Sequence, residues 1–225
     1  MVWRVVAGIA GFAVAGVYGW MKRDEIVEMT SDLWDSLILR LKGKKIAVLG
    51  ARGSGKTTLL TFLSKGELPA ETAQTIMASS VSARRFSLKD LNLDLKETRD
   101  LPGGEGAFDD WKKLHDESDY VIYLIKSAGL DKDRIAYDLK KINEWRSAEK
   151  CKSKFLIVAT HMDLDSAYMA LKPQECGDFF DRFVNDLGRC LAPFKTPPAV
   201  ILGSLENQKH TEKLVSEIIG WMNHA

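Results

Sequence analysis

Several short stretches of the chain are almost wholly apolar, and they are separated by stretches whose apolar residues recur every three or four positions. Lys45–Leu49, Asp119–Ile125, Lys154–Ala159 and Pro198–Leu202 are of the first kind and read as buried strands. Leu91–Glu97 alternates apolar and polar residues, as a strand half exposed to water does, and Val81–Ser87 is a plausible partner for it. The helical spacing appears after Thr58, in Phe108–Leu114, in Asp131–Lys150, in Glu175–Leu191 and in Gln208–Asn223. Trp111 stands at helical spacing with Phe108 and Leu114, which suits a core residue better than an exposed contact.

The N-terminal part follows a different pattern. Val5–Met21 is 17 residues without a charge, near the short limit for a helix that crosses a bilayer. Trp3, Tyr18 and Trp20 are placed for the two interfaces, and Arg4, Lys22 and Arg23 are charged flanks. Ala7, Gly11, Ala15 and Gly19 form a small-residue stripe of the kind that admits a neighbouring helix. Residues 1–23 are therefore expected to be a membrane anchor. A signal peptide cleaved near Ala13-Val14-Ala15 and a buried or partner-binding helix are the alternatives. Residues 24–43 read as an amphipathic connector, with Ile26, Met29, Leu33, Leu37 and Leu41 on one face and Gly43 ending it. The remaining domain spans 44–225.

Composition narrows the function. A formal net charge of +1 over 225 residues gives no broad basic surface for nucleic acid. Cys151, Cys176 and Cys190 are widely spaced, with no pairing or zinc pattern.

The strongest chemical signal follows the first strand. Gly50-Ala51-Arg52-Gly53-Ser54-Gly55-Lys56-Thr57-Thr58 contains the P-loop pattern in full, between a buried strand and an apolar helix. Phosphate oxygens need close approach by backbone N–H groups, which glycines at the tight points permit. The helix N-terminus adds its positive pole. Lys56 is expected on the β- and γ-phosphates, and the Thr57 hydroxyl on Mg²⁺.

A P-loop does not choose between adenine and guanine nucleotides, so the downstream strand ends must. Asp100 and Gly103 form an Asp-x-x-Gly element about 45 residues beyond Lys56: a carboxylate to bind Mg²⁺ through water and an N–H to sense the γ-phosphate. Thr160-His161-Met162-Asp163 follows the next long strand and resembles the guanine-specificity element, with His161 where lysine is usual. A carboxylate such as Asp163 accepts from both the N1–H and the exocyclic amine of guanine, which adenine does not offer together. Ser204 and Leu205, after the last strand, resemble the loop whose backbone N–H meets the guanine carbonyl.

These elements, in this order and each after a strand, resemble the Ras-like small GTPases over residues 44–225. The stretch Asp100–Glu105 together with an N-terminal apolar helix looks most like the Arf and signal-recognition-particle-receptor β-subunit branch. The resemblance implies an α/β P-loop G domain: a six-stranded, mostly parallel sheet with helices on both faces, binding GTP or GDP with Mg²⁺ at the carboxyl ends of its strands. It also implies a membrane-anchored, cytosol-facing switch that meets a protein effector or complex subunit through its switch loops. A first-switch threonine should join the metal; Thr75 is favoured over Thr72.

Two departures bear on catalysis. Gly104 stands where a glutamine or histidine usually orients the attacking water, and Glu105 is one step away. Arg52 stands where many relatives carry glycine. It can act as an internal cation on the γ-phosphate, obstruct an arginine from a partner, or face solvent without a role. Slow hydrolysis, or hydrolysis only with a partner, is the expectation.

Overall fold

The computed structural model describes residues 44–65, 68, 96–97, 105–147 and 153–224. The apolar runs form a single parallel sheet: β1 (Ile46–Gly50), β2 (Lys96–Glu97), β3 (Tyr120–Lys126), β4 (Lys154–Thr160) and β5 (Ala199–Leu202), in the order β2-β1-β3-β4-β5. The register pairs Gly50 with Leu124, Lys126 with Thr160 and Leu156 with Ala199. Parallel neighbours require crossovers. The helices supply them: α1 (Lys56–Lys65), α2 (Glu105–Glu117), α3 (Lys132–Arg146), α4 (Ser166–Met169), α5 (Cys176–Asp186), α6 (Gly188–Leu191) and α7 (Gln208–His224).

Because successive side chains on a strand point to opposite faces, each strand contributes to two cores. Ile46, Val48, Ile122, Leu124, Leu156 and Val158 pack with Leu59 and Phe62 of α1 and Ile218 of α7. Ala47, Leu49, Val121, Tyr123, Ile157 and Ala159 pack with Trp111 of α2, Leu139 of α3 and Phe180 of α5. Trp111 is thus a core residue, as its spacing suggests.

The second face also buries polar groups. The Tyr123 hydroxyl donates to the wholly buried Asp138 carboxylate at 2.8 Å, and Arg134 Nε donates to its other oxygen at 2.9 Å. His115, 1% exposed, lies between Asp116 on its Nδ1 side at 3.0 Å and Ser153 on its Nε2 side at 3.3 Å, which ties the end of α2 to the start of β4.

Two expectations change. The sheet has five strands among the described residues rather than six; the proposed strand at Val81–Ser87 lies outside them. The helix expected over Glu175–Leu191 breaks at Leu187 into α5 and α6. A glycine at 188 weakens helix continuity there by about 1 kcal/mol relative to alanine. No described helix is long and apolar enough to cross a membrane. The anchor at 1–23 and the connector at 24–43 both lie outside the described residues.

Candidate nucleotide site

The carboxyl ends of β1, β3, β4 and β5 meet at one rim of the sheet, and the P-loop and the turns after β4 and β5 lie there. The P-loop leaves β1 at Gly50, whose φ of 143° and position tolerate no side chain: a Cβ would stand 2.4 Å from the Leu124 carbonyl oxygen. Gly55, at φ 91°, is closed in by Leu205, whose Cδ1 would be 2.6 Å from a Cβ. Gly53 has φ 74° but open space, so only its backbone conformation calls for glycine.

Lys56 opens α1 and is buried; its Nζ donates to the carbonyl oxygens of Gly50 and Ala51 at 2.9 Å each, which folds the loop over the ammonium. Ser54 is 1% exposed, and its buried hydroxyl has no hydrogen-bond partner among the described residues. Arg52, Gly53, Gly55, Lys56, Thr57, Thr58 and His161 line an open cleft of about 350 Å³. Arg52 and Thr57 are exposed on it.

The base side is built from the turns after β4 and β5. The Met162 N–H donates to the Gly203 carbonyl at 3.1 Å, and the Gly203 N–H to the Ala159 carbonyl at 2.9 Å, so the two turns are hydrogen-bonded to each other. Asp163 accepts a hydrogen bond from the Ser204 hydroxyl, whose oxygen in turn accepts from the Glu206 N–H at 3.0 Å. This fixes one carboxylate oxygen of Asp163 from behind. Leu205 is buried against the P-loop.

Thr160 differs from the expectation that it faces a ligand, whereas His161 lines the cleft. Thr160 is wholly buried, and its hydroxyl lies 2.9 Å from the Ser54 carbonyl oxygen of the P-loop and 3.2 Å from that of Ile125. His161 is the only described non-glycine residue with positive φ, at 61°. A left-handed backbone costs a side-chain-bearing residue roughly 1–2 kcal/mol, so the neighbouring bonds must hold it there. Burial sets its imidazole below the ordinary value; Lys126 adds to that and Asp163 opposes it.

The metal side is described only in part. Thr57 stands on the cleft, whereas Thr72, Thr75, Asp100, Gly103 and Gly104 lie outside the described residues. Glu105 begins α2. Among the described residues no cluster of three or more histidine, cysteine or acidic groups is placed to hold a metal. The contact of Leu205 with Gly55 has no signal in any motif of the sequence.

The model of the ADP-ribosylation factor family matches residues 30–178. The chain belongs to this family. Its members are small GTPases that bind guanine nucleotides, and the α/β fold with a parallel sheet and a P-loop is the family's fold. Solved structures resemble it distantly. The small COPII coat GTPase of Encephalitozoon cuniculi with GDP is 16% identical with a TM-score of 0.46, over 92% of this chain and 94% of that one. A small GTPase of Trypanosoma brucei with GppNp is 18% identical with a TM-score of 0.42, over 80% and 96%. A GTP-binding protein of Sulfolobus solfataricus with GDP is 17% identical with a TM-score of 0.44, over 89% of this chain and 57% of that one. With TM-scores below one half, these similarities add nothing to the family match. No curated protein matches the chain in sequence.

Proposed function

We propose that this Arf-family chain is a guanine-nucleotide switch that carries GTP or GDP in the cleft beside the P-loop and hydrolyses GTP slowly or only with a partner. The observation that carries this is the junction of a full P-loop with an Asp163–Ser204 pair held at the adjoining strand ends. The orphaned Ser54 hydroxyl and the glycine-only geometry at Gly50 and Gly55 fit a loop whose backbone faces phosphate. Lys56 holds the loop's shape through two carbonyls, and its positive charge lies on the cleft where the phosphates would bind. Asp163, steadied by Ser204, selects guanine by accepting from N1–H and the amine.

Thr57 would hold magnesium, with Asp100 and Thr75 as further candidates from the sequence. Bound there, the ion would neutralise charge on the β- and γ-phosphate oxygens. Arg52 is exposed and lines the cleft, and it would act as an internal cation toward the γ-phosphate. Gly104 lacks a side chain to orient water, so the intrinsic rate is slow.

Residues 5–21 would anchor the domain in a single pass with the nucleotide site facing the cytosol. Switch loops ordered by the γ-phosphate would then present a surface to a protein partner. This layout resembles the signal-recognition-particle-receptor β-subunit branch. A second reading, a constitutively loaded receptor or scaffold without hydrolysis, is favoured by the same Gly104.

The test is to identify the nucleotide that co-purifies with the full chain and to follow one turnover. Guanine nucleotide that excess ATP does not displace, with slow phosphate release, is the expected result. Bound adenine nucleotide, or rapid release by the protein alone, overturns it. Equal partner binding in the GTP and GDP states would favour the scaffold.

A further inference from the structure

The atoms around Thr160 assign a role to His161 that its position in the motif does not. Thr160 Oγ1 has three polar neighbours: the Ser54 carbonyl oxygen at 2.9 Å, the Ile125 carbonyl oxygen at 3.2 Å and His161 Nδ1 at 2.8 Å. The hydroxyl has one proton to give and accepts through its lone pairs. Carbonyl oxygens only accept, and Thr160 is wholly buried, away from water that might satisfy them. The proton therefore goes to a carbonyl, nearest of all that of Ser54, and Nδ1 must be the donor to the hydroxyl.

We infer that His161 is a positioning residue whose Nδ1–H, relayed through the Thr160 hydroxyl, holds the Ser54 carbonyl and with it the phosphate loop. The proposal rests on the nucleotide reading above, but the bond itself does not require a ligand. It gives a reason for the left-handed backbone at His161, which brings Nδ1 back over the preceding residue's hydroxyl. The charged groups facing the ring are Asp163 and Lys126, of opposite sign. Protonation of the ring would add a proton at Nε2 and leave the Nδ1 donor in place, so the relay persists in acid.

The rival account is that the ring only stacks on the base. Phenylalanine keeps a ring without a donor. Asparagine keeps a donor near the Nδ1 position without a ring, and it tolerates the left-handed backbone. With fluorescent mant-GDP as probe on the full chain, the relay predicts that His161→Phe releases nucleotide roughly 5- to 10-fold faster, the worth of one net hydrogen bond. His161→Asn should stay close to wild type. In a Thr160→Val background, His161→Phe should add nothing further, because the relay is already cut. Stacking alone predicts the reverse ranking, with His161→Asn the faster in both backgrounds; that result, or a further loss from His161→Phe in the Thr160→Val background, overturns the proposal.

A second measurement needs no nucleotide. Ring ¹⁵N shifts of His161 at neutral pH should report a protonated Nδ1 and a bare Nε2. The opposite tautomer overturns the relay. A wild-type chain that fails to bind mant-GDP sinks the nucleotide reading instead, and the ring shifts then decide the relay by themselves.

Discussion

The phosphate half and the base half of the cleft are held together in different ways. The P-loop is shaped by backbone: two glycines that exclude a Cβ and a buried lysine tied to two carbonyls. The base turns are shaped by side chains that act on one another, Ser204 on Asp163, His161 on Thr160, and Leu205 on Gly55. Backbone geometry leaves little choice of residue. A network of side chains can exchange members as long as each donor finds an acceptor, which explains how a histidine stands where relatives use lysine.

The largest test of this contrast lies within the P-loop itself. Gly50→Ala places a methyl 2.4 Å from the Leu124 carbonyl at φ 143°. Overpacking and backbone strain together should cost about 3 kcal/mol or more, read as a fall in the urea midpoint. Gly53→Ala meets open space at φ 74° and should cost only about 1 kcal/mol. Equal losses would show that sterics at Gly50 are not what shapes the loop.

On the base side, Asp163→Ala removes the acceptor for guanine and leaves the Ser204 hydroxyl without its partner. A charge-assisted pair of this kind is worth about 1.5–3 kcal/mol, so GDP affinity should fall by roughly 10- to 150-fold while ADP affinity changes little. Loss of both affinities in parallel would mean that the residue supports the fold and not base choice.

Leu205→Ala tests the seam between the halves. The side chain belongs to the core shared by α1 and α7 and also covers Gly55. Truncation should cost about 2 kcal/mol of stability, at the low end for a buried leucine because the site is next to the open cleft. It should also speed mant-GDP release. A loss of stability without faster release would confine Leu205 to the core.

The same contrast explains what the sequence disclosed. Gly50, Gly53, Gly55 and Lys56 were legible because backbone demands recur as a fixed spacing. The two-face core was legible because a strand alternates with period two, and Trp111 followed from helical spacing. Thr160 was placed in the right motif but with the wrong partner, since its bond runs to Ser54, 106 residues away in sequence. Leu205 against Gly55 was illegible for the same reason: contacts between turns on different strands depend on register, which no local pattern records. The break at Leu187 was missed because apolar spacing continues through it.

The smallest expected effect comes from a site remote from both halves and serves as their control. Burial holds the His115 imidazole below the usual histidine value of 6.5, with Arg146 and Lys112 acting in the same direction and Asp116 opposing. The unfolded chain therefore takes up a proton as pH falls below 6.5 while the folded chain resists it. Stability should decline across that window toward the lower folded value. The Asp116 carboxyl is itself held below its usual 3.8: burial opposes this, and hydrogen bonds from Lys112 and His115 outweigh it. Its contribution is present above 3.8 and is lost only below that, so the two groups separate on the pH axis. His115→Gln should flatten the decline just below pH 6.5 in urea titrations, while the part of the decline below pH 3.8 that rests on Lys112 should remain. His161 lies below its usual value for the same reason but is only half-buried, so its share of the slope should be smaller. GDP release by His115→Gln should match wild type at neutral pH, because α2 is pinned to β4 at the end of the sheet away from the cleft. Faster release would mean that this clasp, and not only the two halves beside the nucleotide, sets how firmly the ligand is held.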